Sequence, residues 1–260
     1  MRKELLLFAA AMLLTLAAGA QSVETLSVEK VGDGFYSKNL GNYLVQGNVK
    51  DGLKEGAWYE FYPDKTLIHR VIQYGKGKKN GLYMEIDENG VLVKKSEYVD
   101  DLLEGATYLW SRGRLTAKNT YHNGLMEGEQ ITCYENGGNQ EIAEYKGGLR
   151  DGLTTWFDQS GNKVMTIEYK QGLFEGKQET FYKNGMLKSS KEFRNNVQDG
   201  PAYEYYESGA LKSEAKYKNG QLSGKVKTYQ DKSVEESKAL RKGEGKDAKD
   251  KSLKKVKKEP

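Results

Sequence analysis

The chain has 260 residues, with 41 Lys and Arg against 37 Asp and Glu and a net charge of +4. A single cysteine excludes an intramolecular disulfide, so a folded domain must hold itself by packing and ladder hydrogen bonds. The two histidines, His69 and His122, have no Cys or His neighbour at ligand spacing, which argues against a structural zinc site.

Residues 1–20, MRKELLLFAAAMLLTLAAGA, place Arg2 and Lys3 before an apolar run from Leu5 to Ala18, followed by small residues. They are expected to be a secretory signal peptide cut before Gln21, because the apolar run is shorter than the roughly twenty residues a membrane span needs. No cysteine stands next to the cut, the single one being Cys133 within a repeat, so a lipoprotein anchor is not expected. Residues 21–48 are read as a linker or a degenerate N-terminal capping hairpin that would cover an open sheet edge.

From residue 49 to 230 the chain repeats. Segments open at Tyr74, Tyr98, Tyr121, Tyr145, Tyr169, Phe193 and Tyr217, with gaps of 24, 23, 24, 24, 24 and 24 residues. An earlier copy, one residue longer, opens at Val49. Counting the opening residue as position one, position eight is glycine in all eight copies: Gly56, Gly81, Gly105, Gly128, Gly152, Gly176, Gly200 and Gly224. These glycines are expected to be structural, and the mid-repeat pairs Asn89-Gly90, Asn136-Gly137, Asn184-Gly185 and Ser208-Gly209 are expected to be primed hairpin turns. Position thirteen carries Phe61, Ile86, Trp110, Cys133, Phe157, Phe181, Tyr205 and Tyr229, and position eleven begins with Tyr59, Met84, Tyr108 and Ile131. Positions ten and twelve are mainly Thr, Gln and Glu, so the alternation predicts a strand whose odd positions face the core. A weaker second strand, marked by Leu92, Leu115, Leu187 and Leu211, is expected to be more exposed. A lone hairpin is marginal in water, so the copies must stack. The expected fold is all-β, an elongated antiparallel sheet or solenoid of about eight stacked β-hairpins with a period of 24.

Copies such as YKNGQLSGKVKTYQ (residues 217–230) resemble the MORN repeat, in the variant form of YwqK-type antitoxin-like bacterial proteins. The resemblance covers Val49 to about Gln230, and Asp101 and Asn196 depart from it at the glycine of position four. It implies a single layer of stacked hairpins with a scaffolding or binding role, and it brings no catalytic residues.

The residues themselves carry no G-x-S-x-G elbow, P-loop or dinucleotide motif, and no enzyme, cofactor or metal is expected. The position-seven acids Glu55, Glu104, Glu127, Asp151, Glu175 and Asp199 form a row that would suit Ca²⁺, yet a turn residue before glycine accounts for them. Cys133 is expected to be a core thiol. If the even positions face outward, Trp58, Tyr83, Leu109 and Trp156 form a candidate interaction surface, unless they pack against strand-edge neighbours or a coiled second layer. The expected function is a non-enzymatic, exported scaffold, periplasmic or at the cell surface, docking an unknown envelope or surface protein. The alternative is a glycan- or cell-wall-binding module. Residues 231–260 carry +4 and residues 1–20 +1, leaving 21–230 at −1, so no nucleic-acid partner is expected. The Lys-rich tail, 231–260, is expected to be disordered, with at most a weak membrane contact.

Overall fold

A computed structural model describes residues 22–64 and 66–231. The signal peptide expected over residues 1–20 and the Lys-rich stretch beyond residue 231 lie outside the described residues. Among the described residues the regular structure is all strand, and the strand pairs are antiparallel. Contacts divide the chain into two compact units, one ending at Val91 and one beginning at Leu92.

The first unit is a meander of β1 (Gly34–Asn39), β2 (Leu44–Lys50), β3 (Leu53–Phe61), β4 (Ile68–Gly75) and β5 (Lys78–Ile86), each paired with the next. The β1–β2 hairpin runs through the boundary placed at residue 49, with Gly34 opposite Val49. Asp33 and Gly34 thus occupy the places of positions seven and eight in a further, shortened copy, and Asp33 Oδ1 accepts a hydrogen bond from Asp51 N at 2.7 Å. The second unit continues with β6 (Leu92–Val99), β7 (Leu102–Ser111), β8 (Arg114–His122), β9 (Leu125–Cys133), β10 (Asn139–Lys146), β11 (Leu149–Phe157), β12 (Lys163–Lys170), β13 (Leu173–Phe181), β14 (Leu187–Arg194), β15 (Val197–Tyr205) and β16 (Leu211–Lys218). It closes with two short strands on β16, β17 (Gln221–Leu222) and β18 (Lys227–Thr228).

The primed turns are not the mid-repeat pairs. They lie between copies, at positions three and four, as at Asn123-Gly124 and Gln171-Gly172, where both residues have positive φ (50° and 78°, 48° and 81°). Loop length is the reason. Lys170 pairs with Leu173 across two residues, the span of a primed turn, whereas Phe181 pairs with Leu187 across five. The longer mid-repeat turn instead has only its glycine left-handed, and Asp87 Oδ1 braces it by accepting from Asn89 N and Val91 N, both at 2.9 Å. Both length irregularities of the repeat fall in this turn. Phe61 pairs with Ile68 in the long copy, and Trp110 with Leu115 in the short one, where Arg112-Gly113 shrinks to a primed turn.

The burial of the two faces is also reversed. Each position-eight glycine has positive φ, and the opening aromatic of the next copy stands opposite it: Gly56 pairs with Tyr74, Gly105 with Tyr121, Gly152 with Tyr169 and Gly200 with Tyr217. The opening rings therefore gather on the face of positions ten and twelve, and that face becomes the inner one. Trp58 and Thr154 at position ten are 0 % exposed, while Tyr59 at position eleven is 37 % exposed. Nor are the second strands the more exposed ones, since Ile72, Ala143 and Ile167 are buried. Each lies between two first strands and turns small or branched side chains towards the rings.

Candidate functional site

The first unit carries a cluster of charged groups on its inner face. Glu60 and Glu85 hold position twelve of consecutive copies, on β3 and β5, and Arg70 on β4 pairs with both. The β3–β4 register slips by one residue next to this pair, so that His69 is bulged and reaches the same carboxylates. His69 Nδ1 lies 2.7 Å from Glu60 Oε1, and Nε2 lies 3.6 Å from Glu85 Oε1. Arg70 reaches both carboxylates at 3.2 Å. The rings of Tyr43 and Tyr62 pack against the imidazole at 4.9 and 4.7 Å. Glu60 has no exposure, and its second oxygen accepts from Val23 N at 2.7 Å. Burial works against the imidazolium, but the hydrogen bond with Glu60 and the nearby Glu85 carboxylate outweigh it, so His69 titrates above its ordinary value. Glu85 is held down at about 2, first by the neighbouring His69 imidazole and, against its burial, by Arg70. The segment Ser22–Val28 is strapped to this unit. Val23, Leu26 and Val28 are buried, Lys54 donates to the Val23 carbonyl, and Lys79 pairs with Glu24 at 3.0 Å.

Of the four residues proposed as an outward patch, Trp58 and Tyr83 are brought together but buried. Both are ladder partners of Ile72. The Trp58 indole lies on Gly47 and donates to the Asn48 carbonyl at 3.0 Å, and the Tyr83 hydroxyl donates to Glu85 at 3.0 Å. Neither is an interaction surface in this conformation, because the inner face is the one they share with the opening rings. Leu109 and Trp156 are half-buried in the second unit, on one ladder row but with β8, β9 and β10 between them. Trp156 joins Tyr145 and Tyr169 around the Arg150 guanidinium at 5.8, 5.6 and 5.5 Å, and Arg150 pairs with Glu141. Cys133 is half-buried, and burial pushes its thiol up.

Sequence reasoning passed over a row at position five. In the second unit Leu102, Leu125, Leu149, Leu173 and Val197 are 47, 54, 51, 38 and 43 % exposed. Their partners across the primed turn are Val99, His122, Lys146, Lys170 and Arg194. Leu102, Leu125 and Leu149 lean on the next copy's turn, where a Cβ on Gly124 would stand 3.3 Å from Leu102. The signal was present as a large apolar residue directly after the turn in copy after copy. Beside the row, the position-seven acids cap those same turns. Glu104, Glu127, Asp151, Glu175 and Asp199 accept from the backbone N–H of Asn123, Gly147, Gln171, Asn195 and Asn219 at 2.7–3.2 Å. These backbone donors hold Glu104 and Asp199 below the usual carboxylate range. The capping accounts for the acids without an ion, and no group of His, Cys, Asp and Glu among the described residues is placed to hold a metal. At the opposite rim, position-fourteen tyrosines tie copy to copy. Tyr134, Tyr182 and Tyr206 donate to the carbonyls of Phe157, Tyr205 and Tyr229 at 2.7, 2.8 and 2.9 Å.

A chain built this way is a β-hairpin repeat protein whose copies lock through their turns. Residues 79–100, 150–171, 174–195 and 198–219 match the MORN repeat variant, so the chain carries MORN-type repeats at these four places. Comparison with curated proteins finds no match. Repeats of this kind are commonly protein- or membrane-binding modules and are in general not catalytic.

Proposed function

We propose that the chain is a non-enzymatic, exported repeat scaffold that docks a second protein at the cell envelope through the position-five row of its second unit. The observation that carries this reading is the row itself: five large apolar side chains, each roughly half exposed, one per copy. Successive members are two strands apart, about 9.6 Å, so they form a strip rather than scattered contacts. Lys146, Lys170 and Arg194 on one side and the turn-capping carboxylates on the other supply the polar rim that a protein interface commonly has. Export is supported by the apolar leader of residues 1–20. The test is site-specific photo-cross-linking from Leu102 and Val197, at the two ends of the row, in the native envelope. A single adduct is expected, lost when Leu125, Leu149 and Leu173 are all replaced by Lys while the circular dichroism spectrum is kept. An adduct pattern indifferent to those three substitutions would reject the docking strip.

A second reading has its own observation. Tyr108 and Trp110 stack on the outer face with centroids 5.7 Å apart and planes at 25°, a platform on which a sugar ring can lie. Retention on purified peptidoglycan that Trp110→Ala abolishes and the triple Lys variant preserves would favour the glycan-binding module over the scaffold.

A further inference from the structure

One fully buried carboxylate performs two tasks in the first unit. Glu60 Oε2 holds the backbone N–H of Val23 at 2.7 Å, and Glu60 Oε1 is shared by His69 Nδ1 at 2.7 Å and Arg70 Nη1 at 3.2 Å. The N-terminal strap and the imidazole are therefore joined through a single group with no exposure to water. We propose that the Ser22–Val28 strap is a pH-sensitive latch, seated while His69 is protonated and loosened when it is neutral.

The groups that face the imidazole come from every neighbouring element. Glu60 approaches from β3, Glu85 from β5 and Arg70 from beside it on β4. The phenol rings of Tyr43 and Tyr62 pack against it, 6.3 Å from each other, and the Tyr83 hydroxyl takes the other oxygen of Glu85. Lys54 donates to the Val23 carbonyl and lies over the Trp58 and Tyr74 rings. With His69 charged, two cations meet two carboxylates. With His69 neutral, Arg70 alone faces the two carboxylates, and Glu60, which has no exposure, is the one that water cannot reach, whereas Glu85 is 27 % exposed. Glu60 is then the strained member, and the contact it shares with the strap is the Val23 amide. Arg70 keeps its charge throughout, so it cannot produce the switch. Loosening would bring Val23, Leu26 and Val28, all buried when the strap is seated, towards water.

The experiment is amide hydrogen exchange on the full chain between about pH 5.5 and 8.5, corrected for intrinsic exchange, with His69 followed by NMR and distinguished from His122 by a His122→Gln variant. Protection at Val23–Val28 is expected to be level at low pH. It should fall as His69 deprotonates, by at most about tenfold for each unit by which the folded pKa exceeds that of free imidazole. His69→Gln is expected to remove the pH dependence. Glu60→Gln is expected to lower strap protection across the range while Ile72 on β4 stays protected. Strap protection that is flat in the wild type while His69 titrates would overturn the latch, and so would pH dependence that survives His69→Gln. Loss of protection at Ile72 in step with Val23 would overturn it too, because the whole unit would then be unfolding.

Discussion

Replacing Trp58 by alanine decides which face of the first unit is the inner one. The indole has no exposure, lies on Gly47 and meets Tyr74 edge-on at 6.4 Å. Truncating a buried tryptophan costs about 3–5 kcal/mol. The lost indole donor adds little, because Asn48 is exposed and water can serve its carbonyl. A unit of about 70 residues typically has about 4–10 kcal/mol of stability, so the substitution removes between a third and all of it. Gly47→Ala probes the same contact from the other side. Its Cβ would stand 2.2 Å from the indole, far inside van der Waals distance, and overpacking of this kind costs about 1–3 kcal/mol. In a Trp58→Ala background the added methyl no longer meets the ring, so the two changes should couple by a similar amount. The assay is urea unfolding with hydrogen exchange resolved along the chain, since two units need not unfold together. A Trp58→Ala loss below about 1 kcal/mol, with no coupling to Gly47→Ala, would refute the inner-face assignment and return the indole to the surface.

Glu85, held at about 2 against an ordinary 4.5, contributes stability that is complete above the unfolded value and lost as pH falls through the folded one. Acid unfolding of the first unit, followed by tryptophan fluorescence, should therefore lose stability from about pH 4.5 downward, and Glu85→Gln should flatten that slope. Tyr182→Phe removes the bond to the Tyr205 carbonyl at 2.8 Å and should lower second-unit stability by about 0.5–1.5 kcal/mol, read from the urea midpoint. A midpoint unmoved by both Tyr182→Phe and Tyr134→Phe would count against the tyrosine ties. Asp151→Ala strips the acceptor from the Gln171 amide, so exchange at that amide should speed up, with Asp151→Glu restoring part of the protection.

The charged cluster was half legible. Two acids at position twelve of consecutive copies, with His69-Arg70 on the strand between them, are visible as letters. That His69 joins Arg70 on one face depends on the single-residue slip opposite Glu60, which alternation along the strand does not announce. The position-seven acids were legible as turn residues, but not as caps on the turn of the following copy, since that bond spans about twenty residues, as from Asp151 to Gln171. The outward assignment of Trp58 failed because polar residues at positions ten and twelve, such as Thr107 and Glu60, read as a wet face in the alternation. Those side chains are buried because they find partners there, Thr107 on Ser96 and Glu60 on His69 and Arg70.

The amino-acid sequence by itself determined the period, the all-β hairpin make-up of the copies from residue 49 onward, and the glycine phase. These follow from local backbone demands: positive φ at set positions, and period-two alternation between them. Only the tertiary structure decided which face is inner, where the exposed leucine row lies and what holds the strap. Each of those depends on side chains that meet from neighbouring copies or, for Val23 and Glu60, from residues 37 apart in the chain. In an antiparallel sheet both faces carry aromatic residues, and burial goes to the one over which the next copy's rings close.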